Sequence, residues 1–245
     1  MSTEIQHNES DLSETQTSEF QGESGKQKRT ALLAWASEQA YKEPRSRSNS
    51  SFGNYVLDKK LSNRFVAVYE GDQGVVIAHR GTSLKPKDIV GDFTADYQVL
   101  VGSKQLGSRL THAAKVQQKV YDSYGPETQF YTTGHSLGGT LAKRFALEND
   151  SASVKRKLHT EVFNEGSSPM GLLKRFQSLD VKETKKRKRT DLITHHIKGD
   201  IISQASAFHP EGEEIRVYKA SKKSSAHGIK QFTNMFAIES ATNAE

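Results

Sequence analysis

A glycine two residues before a serine and another two residues after it, in Gly134-His135-Ser136-Leu137-Gly138, is the first pattern in this chain with a chemical reading. A serine hydroxyl attacks a carbonyl usefully only when a base takes its proton and its neighbours leave it accessible. A sharp strand-to-helix turn presents it in this way. The turn strains the serine backbone and crowds the residues two before and two after, where glycine is tolerated because it has no Cβ. The helix that follows aims N–H groups and the positive end of its dipole at the place where an oxyanion forms.

The pentapeptide alone is a weak signal. At about 7% usage for each fixed residue, it arises by accident in roughly one chain in ten of this length. The competing reading is a glycine-rich turn with an incidental serine. The flanks argue against that: the β-rich run Phe130-Tyr131-Thr132-Thr133 precedes the motif, and Leu137, Leu141 and Phe145 follow at helical spacing with small Gly138, Gly139 and Ala142 beside them.

Other elements must position this turn. Residues 31–41 read as a helix of good helix formers with Thr30 as its N-cap. Tyr55 to Leu57, Arg64 to Tyr69 and Val75 to His79 read as strands. The last two flank the turn signal Glu70-Gly71-Asp72-Gln73-Gly74, which predicts an antiparallel hairpin. Pro86 can open a helix carrying Ile89, Val90 and Phe93. A further helix from Ser108 to Tyr124 stops at Gly125-Pro126, and a strand over Gln129 to Thr133 leads into the motif. Strands follow at Thr160 to Phe163, Leu192 to Ile197 and Glu214 to Tyr218, with a short helix over Gly171 to Leu179 and a last helical piece from Ala226. Helices interleaved with short apolar strands predict an α/β sandwich, its central sheet mostly parallel with antiparallel N-terminal strands and helices on both faces.

The segment Thr133-Gly134-His135-Ser136-Leu137-Gly138-Gly139-Thr140-Leu141-Ala142 resembles the nucleophile elbow of the class 3 (fungal-type) lipase family, in the α/β-hydrolase superfamily. So does Val76-Ile77-Ala78-His79-Arg80-Gly81-Thr82, which is similar to that family's strand ending in Arg-Gly-Thr/Ser. Asp88 and Asp92 match the family's Asp/Asn-Trp-x-x-Asp/Asn stretch, with Ile89 in place of the tryptophan. The resemblance covers roughly residues 50–235 and implies an α/β-hydrolase fold. It implies an oxyanion hole made by Thr82 and by the Leu137 N–H; the plainer reading of Thr82 is a hydroxyl capping the next turn. It also implies an acylglycerol or phospholipid ester as substrate.

In this fold the triad runs in chain order Ser, then Asp or Glu, then His. The acid usually follows a late sheet strand, as Asp200 does after Ile193 to Lys198, in a segment that resembles the family's strand ending in an Asp. Asp191 starts that strand and Asp180 lies in a charged loop, so both are poorer choices. The base lies downstream, at His209 or His227. His209 precedes Pro210 in an ordinary loop. His227 follows a strand and is similar to the family's histidine at the head of its last helix, which favours it. His195 and His196 read as strand residues and His135 as packing at the elbow. The expected site is therefore Ser136, Asp200 and His227 with Thr82 and Leu137. No pair of histidines has a metal-site spacing with supporting carboxylates, so no catalytic metal and no cofactor is expected.

This sequence departs from the family in three places. The interval from Asp200 to His227 is short, which implies trimmed C-terminal loops. The Phe-Gly-x-Pro segment is only loosely present, as Phe163-Asn164-Glu165-Gly166-Ser167-Ser168-Pro169. A lid over Ser83 to Lys87 would be short and carry two lysines, so strong interfacial activation is not expected.

Composition bounds the rest. The 245 residues suffice for one large domain, yet only 34% are hydrophobic. Residues 1–29 carry six acidic and three basic side chains and few large apolar ones, which predicts a disordered tail, then a single domain over 30–238 and a short tail over 239–245. With net charge +6 for the chain and −3 for that tail, the body carries +9. A basic body favours anionic surfaces, so peripheral contact with an anionic membrane is an expected partner beside the lipid or ester substrate. Lys185-Lys186-Arg187-Lys188-Arg189 reads as a solvated loop, with nuclear targeting and anionic lipid contact as other readings. No recognised nucleic-acid motif accompanies the charge, so nucleic acid is not an expected partner. There is no cysteine, no secretory signal pattern and no apolar run long enough to span a membrane, which predicts an intracellular protein. The alternative to an ester hydrolase is a hydrolase fold kept as an inactive binding or structural module.

Overall fold

The computed structural model describes residues 22–48, 55–82, 104–151, 156–166, 191–200, 203, 209, 212–221 and 226–242. The sequence-predicted helices at Pro86 and at Gly171 to Leu179, the Asp88 and Asp92 match, the lid and the 185–189 basic run lie outside these residues. Seven strands form one sheet in chain order: β1 (Val56–Leu57), β2 (Val66–Gly71), β3 (Gly74–His79), β4 (Gln129–His135), β5 (Lys157–Phe163), β6 (Leu192–Ile197) and β7 (Glu214–Tyr218). The first three pair antiparallel and β3 to β7 pair parallel. The expected α/β sandwich is what the chain adopts. The β2–β3 hairpin turns at Asp72-Gln73, in register from Val66 opposite His79 to Gly71 opposite Gly74.

Helices α1 (Gly22–Gln39) and α4 (Lys230–Thr242) cover one face of the sheet; α2 (Lys104–Tyr124) and α3 (Leu137–Ser151) cover the other. The first face is sealed by Leu32, Leu33, Tyr69, Phe163, Phe232 and Phe236, all buried. The second is filled by Val66, Val68, Ile77, Val120, Phe130 and Leu158. Helices cover both faces of β2 to β5, so these strands are buried along most of their length; β2 and β3 are mostly apolar, while β4 and β5 also bury polar residues. Among the described residues no helix is long and apolar enough to cross a membrane.

Two boundaries differ from expectation. Helix α1 begins at Gly22, eight residues before the expected domain start, and α4 continues to Thr242, past residue 238. Thr30 is not an N-cap. It lies buried in the third turn of α1, its hydroxyl donating to Glu161 at 2.8 Å, with the Lys26 carbonyl at 3.0 Å as an alternative acceptor for the same proton. Residues 22–29 look like tail because they are polar; Arg29 among them has a buried partner that composition does not reveal.

That partner is the carboxylate of Glu161, fully buried in β5 beneath α1. Arg29 Nε donates to one oxygen at 2.9 Å, and His159 Nε2 lies 2.9 Å from the same oxygen. His195 Nε2 lies 2.9 Å from the other, and its Nδ1 is 3.0 Å from the Tyr218 hydroxyl. Burial pushes the Glu161 carboxyl up, but hydrogen bonds from His159 and His195 outweigh it and hold the group well below the usual carboxylate range. A Glu161→Ala variant strands Arg29, Thr30 and His195, so its unfolding free energy should fall by about 3–5 kcal/mol in urea titration. A loss under about 1 kcal/mol would show that α1 is held by apolar packing alone.

Candidate active site

Strand β4 ends at His135 and α3 begins at Leu137, so Ser136 is the whole of the turn between them. Its φ is +57°, a conformation that costs an L-residue roughly 1–2 kcal/mol. The surroundings hold it there. Ser136 N–H donates to the Phe163 carbonyl at 3.1 Å, and its own carbonyl accepts from Thr140 N–H at 3.2 Å. A Cβ on Gly134 would sit 2.3 Å from the Gly138 carbonyl carbon, and one on Gly138 would sit 2.1 Å from the His79 carbonyl oxygen. Both glycines are required by backbone contact.

Asp200 follows β6 through the turn Lys198-Gly199 and is 2% exposed. Its Oδ2 lies 2.8 Å from His227 Nδ1. His227 Nε2 lies 2.9 Å from Ser136 Oγ. With Nδ1–H donating to the carboxylate, Nε2 is left as the acceptor facing the hydroxyl. Three side chains from positions 136, 200 and 227 thus form one hydrogen-bonded chain at the C-terminal edge of the sheet. The imidazole keeps 20% of its surface open while the carboxylate does not, which orders them from solvent inward.

His209 is elsewhere. Its Nδ1 lies 2.9 Å from Glu213 Oε2 and its ring faces His196, so it does not meet Ser136. Asp191 is exposed at the start of β6, its carbonyl accepting from Thr160 N–H. Asp180 lies outside the described residues. His195 and His196 are strand residues of β6.

Leu137 is the first residue of α3, where backbone N–H groups have no intrahelical acceptor. Thr82 ends the segment after β3. Gly81 N would lie 2.9 Å from a Cβ on Gly138, so this segment runs alongside the elbow. Arg109 Nη2 holds it by donating to the carbonyls of Arg80 at 2.7 Å and Gly81 at 3.2 Å. Thr82 Oγ1 is buried and has no hydrogen-bond partner among the described residues.

Three supporting residues were missed from sequence. Buried Asn164, at φ +40° just after β5, receives Ile197 N–H on its Oδ1 and donates Nδ2–H to the Ala226 carbonyl, both at 2.8 Å. It thereby ties the His227 segment to the strand that leads to Asp200. An asparagine directly after a strand was the available signal, since asparagine tolerates this conformation. His135 does more than pack: its Nε2 lies 2.5 Å from the His227 carbonyl oxygen, so Nε2 carries the proton. Its Nδ1 then accepts from the Tyr41 hydroxyl at 2.8 Å. Tyr41, just past α1, had no local signal at all.

Burial, the largest cause, and His227 close by push His135 down to about 3; burial likewise pushes His79 down to about 4 against a bond from Gln117. His196 is lowered too, first by burial. All three imidazoles are therefore neutral in the folded chain at pH 7.

No family model matches the chain, and no curated protein matches it. Among solved structures it is similar to the crystal structure of Lip2 lipase from Yarrowia lipolytica, with 15% sequence identity, 83% of this chain and 81% of that chain covered, and a TM-score of 0.45. That likeness is too distant to carry chemistry, which is read from the side-chain geometry instead.

Because an unfolded histidine titrates near 6.5, the unfolded chain binds more protons than the folded one below that pH. The stability is thus complete above about 6.5 and falls as pH drops, by up to about 1.4 kcal/mol per pH unit for each buried imidazole. Urea titrations between about pH 6.5 and 5 should show this fall, and His79→Gln should make it shallower by about 1 kcal/mol per unit. A flat profile would mean that these rings are protonated when folded.

Proposed function

We propose that this chain is a serine ester hydrolase acting on lipid esters through an acyl-enzyme intermediate. The observation that carries the reading is the His227 imidazole, hydrogen-bonded to Asp200 on one nitrogen and to Ser136 on the other, at 2.8 and 2.9 Å.

In the first half-reaction Nε2 of His227 takes the Ser136 proton as Oγ attacks the ester carbonyl carbon. The imidazolium that forms is stabilised by the Asp200 carboxylate, which also keeps the ring in the useful tautomer. The carbonyl oxygen becomes an oxyanion that the Leu137 and Thr82 amides would bind, with the unpartnered Thr82 hydroxyl as a third donor. The imidazolium then gives its proton to the departing alkoxide, and the alcohol leaves. Water repeats the sequence on the acyl-serine, with His227 as base, and frees the carboxylic acid. The roles of acid, base and nucleophile fall on side chains whose burial and bonding suit them, and no electron transfer is involved.

The acylglycerol or phospholipid preference is finer than this geometry. It is supported by the motif resemblance around residues 76–82 and 133–142, and the net +9 of the body favours an anionic lipid surface.

Purified chain should hydrolyse a short-acyl nitrophenyl ester and take a fluorophosphonate label on Ser136. Ser136→Ala should abolish labelling and cost at least about 10⁴-fold in kcat, and Asp200→Asn should cost about 10⁴-fold with labelling slowed. Thr82→Ala tests the hydroxyl donor, with about 100-fold loss in kcat and little change in KM. Equal ester hydrolysis by wild type and Ser136→Ala, or no label on folded wild type, overturns the reading in favour of an inactive module.

A further inference from the structure

On the α3 side of the sheet, apart from the triad, three metal-ligating side chains converge from separate segments. Glu165 follows β5, His196 lies in β6, and His209 lies between Asp200 and β7. One ligand atom from each lies within 4.8 Å of the other two. Side chains alternate along a strand, so His196 and Thr194 share the face opposite His195. Thr194 Oγ1 donates to Glu213, and Lys143 of α3 donates to Glu213 Oε1 and to Glu165 Oε1, each at 2.7 Å.

The hydrogen bonds around these side chains leave lone pairs for a metal. Glu213 Oε2 accepts from His209 Nδ1, which puts the proton on Nδ1 and leaves Nε2 with its lone pair. A carboxylate behind a ligating histidine is the usual way such rings are oriented and made more basic. His196 Nδ1 is buried and has no hydrogen-bond partner among the described residues, a cost that a cation bound at that nitrogen would relieve. A carboxylate offers about four lone-pair sites, so Glu165 can keep Lys143 and still ligate. Among these groups, Glu165 and Glu213 outnumber Lys143 by one negative charge. Two imidazoles and one carboxylate suit zinc, at about 2.0–2.2 Å per bond, and do not suit magnesium or calcium, which take oxygen ligands. Ligands of one tetrahedral ion lie about 3.3 Å apart, so a modest movement of His209, whose side chain is 34% exposed, completes the set.

We propose that Glu165, His196 and His209 form a zinc-type divalent-metal site, with Glu213 orienting His209. The site is independent of the ester-hydrolase reading. Its ion would fasten the connection after Asp200 to the ends of β5 and β6, the strands that lead into Asn164 and Asp200, and so would act on stability rather than on the reacting atoms.

The experiment uses tag-free full-length chain, stripped with chelator and titrated calorimetrically with zinc chloride. Wild type should bind one zinc per chain and gain several degrees in Tm, with no gain from magnesium or calcium. His209→Ala, outside the triad and partly exposed, should keep its circular dichroism and chelated-state ester hydrolysis, bind zinc at least about tenfold more weakly and lose the Tm gain. Histidine ¹H–¹⁵N spectra of wild type should show the rings of residues 196 and 209 moving on zinc addition while that of His112 does not, a result that needs no variant to fold. Absence of stoichiometric binding below about 100 μM zinc, equal binding by His209→Ala, or movement of the His135 and His227 rings instead would overturn the site.

Discussion

The backbone of α3 lies so close to the carbonyl of His79 that position 138 has no room for a methyl group. The geometry at this edge of the sheet follows from that approach. With α3 pressed against the end of β3, the chain must reverse within one residue, and Ser136 is forced to a positive φ with its hydroxyl clear of the sheet. The same closeness brings the segment after β3 beside the first turn of α3. Strain at one residue is small beside the packing of two strands and a helix, which is why the turn can hold it.

Two buried polar networks flank the sheet, one on each face. Glu161 gathers Arg29, Thr30, His159 and His195 beneath α1, and Lys143 bridges Glu165 and Glu213 beside α3. Buried charges of this kind add little net stability over apolar substitutes, but they punish any arrangement that leaves one unpaired. They therefore select register: β5 must place Glu161 under Arg29, and β6 must place His195 on that side and His196 on the other. The triad benefits from this selection, because Asp200 and Asn164 are carried by the ends of those strands.

The candidate base is held by its backbone as well as by its ring. His135 bonds the His227 carbonyl, which sets its tautomer, Asn164 bonds the carbonyl of Ala226, and Tyr41 donates to the other nitrogen of His135. Tyr41 stands at the end of α1, the helix fastened by Glu161. The first helix is thus connected through side-chain bonds to the residue proposed to move the proton.

Periodicity and local motifs made much of the chain legible. The Gly-x-Ser-x-Gly turn, the β2–β3 hairpin, the strands at 192–197 and 214–218 and the sandwich itself depend on contacts between near neighbours or on apolar patterning, and short windows of sequence record those. Choosing among Asp180, Asp191 and Asp200, or between His209 and His227, is a different matter, because those distances are set by where β6 and the last helix come to rest. Tyr41 and the Glu161 partners were invisible for the same reason. A polar residue's partner can lie 100 positions away, as Thr133 and Leu33 do, and nothing in its own neighbourhood reports it. Amino-acid order dictated which chemistry was on offer; folding selected which histidine meets the serine, because buried hydrogen bonds are satisfied only in three dimensions.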